Sequence, residues 1–81
     1  MSTWRRLGRN EKAGVAVGTR VRAAREQERL GGPLYPGRVG LVSAMLPEYP
    51  DCLEVFLQAT TRAQARPHEM FPTHNLEVEV P

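Results

Sequence analysis

At 81 residues, with 41% hydrophobic and 25% charged content, the chain has room for one domain. A chain this short buries a modest fraction of its surface, so self-association is expected. The single cysteine, Cys52, excludes an intrachain disulfide and fits a reducing, cytoplasmic setting. No apolar run reaches bilayer length, so no membrane partner is expected. Residues 4–9 lead into charge rather than an apolar core, which argues against a secretory leader.

The net charge of +2 is unevenly placed. Residues 1–14 hold Arg5, Arg6, Arg9 and Lys12 against one acid, Glu11; the rest holds seven Arg against eight acids. Residues 1–14 lack periodicity and are expected to form a flexible basic arm, with Trp4 as the one side chain suited to docking. Residues 15–81 are expected to be the folded domain. Residues 17–23 alternate, with Val17, Thr19, Val21 and Ala23 on one face and Arg20 and Arg22 on the other. That is the period of a half-buried strand. A helix over residues 23–30 competes, but its apolar face is poor, and strand followed by loop is the preferred reading.

Residues 31–37, Gly-Gly-Pro-Leu-Tyr-Pro-Gly, form a loop with strong turn chemistry, and an apolar strand follows over residues 38–46. Two prolines, Pro47 and Pro50, bar its continuation. A third strand over residues 52–57 puts Leu53, Val55 and Leu57 on one face. A polar loop, a short extended piece over residues 69–71 and a helical-type turn at Thr73-His74-Asn75 come next. Leu76, Val78 and Val80 then alternate with Glu77 and Glu79, the clearest strand signal in the chain. Five short strands between turns predict an all-β fold, a small five-stranded barrel.

The pieces Gly18-Thr19-Arg20-Val21-Arg22, Gly37-Arg38-Val39-Gly40 and Phe71-Pro72 with Leu76-Glu77 resemble the SH3-like barrels. Within that group they look most like the plasmid- and integron-borne type II dihydrofolate reductases of bacteria. The resemblance covers roughly the last 65 residues, in pieces. It implies a five-stranded SH3-like barrel, and a homotetrameric ring whose central pore takes NADPH and dihydrofolate. The family lines that pore with Val-Gln-Ile-Tyr and a lysine. The matching positions here are His68, Glu69, Met70 and Phe71, with Ala23 at the lysine position. Four Glu69 carboxylates around one pore would repel each other and an anionic cofactor. The expectation is therefore a non-catalytic binding or assembly module with no catalytic residues and no cofactor. A reductase using NADPH is the alternative.

Candidate positions follow. Glu69, Met70, Phe71 and Arg22 would face a pore or ligand. Tyr35 and Tyr49 are candidates to line a groove for a protein or small-molecule ligand, the ordinary and preferred reading being that they cover a small core or an oligomer contact. Arg20, Arg22 and Arg38 would bind phosphates, which keeps a nucleic-acid-binding barrel as a further alternative. The ordinary alternative for Arg20 and Arg22 is cross-strand pairing with Glu54, Glu77 or Glu79. Cys52, His68 and His74 match no zinc spacing, so no metal is expected. Cys52, at the opening of a strand, reads as an inert buried thiol.

Overall fold

A computed structural model describes residues 3–12 and 14–80. The fold is all-β: six antiparallel strands in one sheet. They are β1 (Thr3–Arg6), β2 (Arg20–Ala23), β3 (Val39–Met45), β4 (Cys52–Leu57), β5 (Arg66–Pro72) and β6 (Leu76–Val80). A one-turn 3-10 helix, Thr73–Asn75, joins β5 to β6. The strand order is β1-β6-β2-β3-β4-β5.

This order forces the sheet to roll. β6 and β5 lie at the two ends of the five strands β6-β2-β3-β4-β5, which if flat would place them about 19 Å apart at ~4.8 Å per spacing. The three-residue helix that links them spans only about 6 Å at ~2 Å per residue. The sheet therefore curls until its ends approach, although β5 and β6 do not pair and it stays open. Inside the roll, Val21, Ala23, Val42, Leu53, Val55, Leu57, Phe71, Leu76 and Val78 form the core, with Leu34 from the β2–β3 loop.

The alternation in β4 and β6 becomes the buried pattern directly, because each strand has one face in the core. β2 begins three residues later than the periodicity suggests. Val17 is exposed, and only Val21 and Ala23 of that face enter the core. Residues 24–38 contain no α-helix. They form a loop pinched by a bridge between Gln27 and Leu34, which buries Leu34. A helix there would have left Leu34 without its place in the core.

The expected five strands become six. Residues 3–12, expected to belong to a mobile arm, supply β1, which pairs with β6 from Thr3↔Val80 to Arg6↔Glu77. Leu7 then donates its N–H to the Leu76 carbonyl at 3.0 Å and is buried in the core. Glu11 closes the next turn, accepting from the Gly8 N–H at 2.7 Å and from Arg5 at 2.8 Å. Residues 1, 2 and 13 of the expected arm lie outside the described residues.

A turn and a bulge place the residues on either side of the sheet. The Tyr35–Arg38 turn has Pro36 and then Gly37 at φ 87°, with the Arg38 N–H donating to the Tyr35 carbonyl at 3.3 Å. Proline fixes the first corner, and only glycine takes the second at low cost, as in a type II turn. In β5 a bulge between the pairs Val55↔Glu69 and Leu57↔Arg66 puts His68 at φ 64°.

Candidate functional site: the Tyr35–Arg38 cleft

The arginines of β2 are consumed by the sheet. Arg20 pairs with Glu79 and Arg22 with Glu77, each at 2.7 Å, across the β2–β6 ladder. The Trp4 ring lies 4.4 Å from the Arg22 guanidinium and 5.6 Å from that of Arg20, a cation–π stack that closes the ladder on the β1 side. Trp4 thus docks on its own sheet. Arg38 does not join this face. It sits half-buried at the start of β3, where its Nε and Nη2 donate to the Gln58 carbonyl and its Nη2 also donates to the Gln64 carbonyl.

The residues at the expected pore positions do not share one surface. Phe71 is fully buried, so no ligand reaches it. Its parity on β5, opposite Leu53, points it into the roll. Met70 faces the other way, opposite Glu54. Glu69 lies between Arg66 at 2.8 Å and Arg29 at 3.4 Å, and the Arg29 guanidinium stands 4.7 Å from the Phe71 ring. The Glu69 charge is thus met within its own chain. Sequence reasoning missed both partners: Arg29 is distant along the chain, and Arg66 reads as loop.

Tyr35 and Tyr49 are both exposed, at 60% and 53%. They do not form one groove. Tyr35 precedes β3 and Tyr49 follows it, so the seven-residue strand separates them by roughly 23 Å at ~3.3 Å per residue. Tyr35 instead joins Arg38 in a cleft of about 580 Å³ between two loops. Gly31, Gly32 and Pro33 form one wall with Tyr35, and Ala63, Gln64, Ala65 and Arg66 form the other. Arg38 braces the floor through its bonds to the β4–β5 loop, and Arg66 donates to the Gly32 carbonyl at 3.1 Å across the gap. The volume is in the range of small-molecule sites, but the cleft is broadly open to solvent.

A second polar cluster lies on the outer face. Ser43 donates to Glu54 Oε1 at 3.0 Å, and His68 Nδ1 lies 3.1 Å from the same oxygen. Ser43 and His68 both lean on the carboxylate, and among the described residues no bond joins serine to histidine as a nucleophile needs. The His68 contact, then Ser43, holds the Glu54 carboxyl below the usual range. Glu11 is lowered too, by the Gly8 N–H and then by Arg5. A carboxyl depressed in the folded state stabilises fully above its unfolded pKa, roughly 4.3. That stabilisation is lost as pH falls through the lower folded value. Glu54→Gln is expected to flatten the acid limb of the melting midpoint between roughly pH 5 and pH 3. An acid limb that matches the unaltered protein counts against the contact.

Cys52 is half-buried rather than buried as expected; burial and then the charge of Asp51 push its thiol up, which lowers the thiolate fraction. No cluster of three or more metal-ligating side chains occurs among the described residues, where His68 is engaged by Glu54 and His74 sits in the 3-10 helix. No helix there is long and apolar enough to cross a membrane. Comparison with family models, curated proteins and solved structures finds no match to this chain.

Proposed function

We propose that the chain is a small non-catalytic binding module, built as an SH3-like barrel, that holds its ligand in the Tyr35–Arg38 cleft. The observation that carries this reading is the convergence there of an exposed aromatic ring and a braced guanidinium, two sequence candidates that fall in one concavity. The barrel reading is supported by the rolled order β6-β2-β3-β4-β5 and the short link that draws its ends together.

NMR shift mapping against pools of short acidic, basic and proline-rich peptides tests the proposal. Shifts concentrated at residues 31–38 and 63–66 are expected with at least one pool. Tyr35→Ala is expected to weaken that binding at least tenfold with the melting midpoint unchanged, because Tyr35 is largely exposed. Absence of cleft shifts with every pool overturns it.

One observation favours a second reading, a homotetrameric ring. Arg29 and Arg66 flank Glu69 and offset the repulsion that four copies of that carboxylate would create. A reductase of the type II kind requires that ring and must oxidise NADPH when dihydrofolate is added. The buried Phe71 weighs against a pore lined as in that family. A nucleic-acid role is less supported, since Arg20 and Arg22 are already matched by Glu79 and Glu77. Light scattering and an NADPH oxidation assay separate the ring from a lone module.

A further inference from the structure

The cleft is electrically unbalanced. Among the described residues no aspartate or glutamate lines it, while Arg38 and Arg66 do. Arg66 is met by Glu69, but Glu69 also serves Arg29, so one carboxylate answers two guanidinium groups. Among the described residues Arg38 has no acidic partner. Its three bonds go to the neutral carbonyls of Gln58 and Gln64, and its Nη1 makes none among the described residues. Those bonds fix the guanidinium plane without cancelling its charge. Nε and both Nη2 hydrogens are spent on those carbonyls, which leaves Nη1 to donate to a carboxylate oxygen from a guanidinium whose plane is already fixed.

The rest of the lining is of another kind. Tyr35 offers a ring face, and Pro33, Ala63 and Ala65 offer small apolar surfaces. Gly32 leaves open space where a side chain would stand, whereas the Arg66 guanidinium lies against Gly31. A planar or apolar group could rest there with an acid reaching Arg38.

We infer that the cleft binds a carboxylate that adjoins a flat apolar group, with Arg38 taking the acid and Tyr35 the flat group. This rests on the binding-module reading above and specifies its ligand. Two sources supply that chemistry: a free aromatic acid, or a peptide chain ending in an aromatic residue.

The test is NMR titration of the whole chain with four probes: phenylacetate, phenylacetamide, N-acetyl-Gly-Pro-Phe with a free terminus, and the same peptide as its amide. At least one acid is expected to shift residues 31–38 and 63–66 with at least tenfold tighter binding than its amide. Its affinity should fall as salt rises, since the attraction is between partly exposed charges. Phenylacetate matching the peptide assigns the site to small acids; a response confined to the peptide acid assigns it to a chain terminus. Arg38→Gln is expected to cost at least tenfold, and Arg38→Lys less. If Arg38→Gln fails to fold, the comparison of acid with amide on the unaltered protein still decides. Amides binding in the cleft as well as acids would overturn the inference and leave the binding module standing. Peptide pools and all four probes failing to shift the cleft would overturn both.

Discussion

Gly40→Ala is expected to lower stability by about 3 kcal/mol, as overpacking of a tight interior does. Gly40 lies in β3 between Val21 of β2 and Leu57 of β4. A Cβ there would sit 2.5 Å from the Phe56 carbonyl oxygen and 2.8 Å from a Val55 methyl. The nearest obstacle is backbone of the neighbouring strand, which cannot rotate away. The β3–β4 ladder would have to open, at the centre of the rolled sheet. For a domain this small the melting midpoint should fall on the order of 15 °C. Gly37→Ala is the control. Its φ of 87° strains an added side chain, but nothing lies within 4 Å of the new carbon. That change should cost only about 1 kcal/mol. A reversed order of the two losses would refute the close-approach account.

Leu7→Ala should cost about 3 kcal/mol, within the range for a buried leucine. Leu7 is only 2% exposed, although it sits among charged residues. The same substitution in a mobile arm would be worth less than about 0.5 kcal/mol. Urea denaturation of the variant therefore distinguishes a docked first strand from a loose one. A loss near zero would mean that β1 contributes nothing to the fold.

That contrast shows where the sequence was legible. β4 and β6 could be read because Leu53, Val55 and Leu57, and Leu76 and Val78, alternate cleanly toward one core. β1 could not, since Trp4, Arg5 and Arg6 carry no such alternation and its strand partner lies at the far end of the chain. Its docking depends on β6 offering an edge and on one leucine finding the core. The cleft was half legible. Tyr35 and Arg38 stand out singly, with a Pro-Gly turn that explains their proximity. Tyr49 looked equivalent to Tyr35 until the length of β3 set them apart. The opposite wall, residues 63–66, has only polar and small side chains before Arg66, with no periodicity to place it. Glu69 could be read as an isolated carboxylate because Arg29 reaches it only after the β2–β3 loop folds back over Phe71.

The two outer strands bear on how copies of this chain can meet. An unpaired strand edge is an open template for another strand unless something blunts it. On one side, β5 begins with Arg66-Pro67 and ends at Pro72, and its bulge breaks the row of backbone donors between them. Proline offers no N–H, so an incoming strand would meet interruptions where it needs a continuous ladder. On the other side, β1 is four residues long and carries Arg5 and Arg6. Both borders of the sheet are thus poor at recruiting strands, which protects an 81-residue chain from end-to-end growth into fibres. Copies of this chain are therefore expected to meet through side chains on its faces rather than by adding strands at its borders.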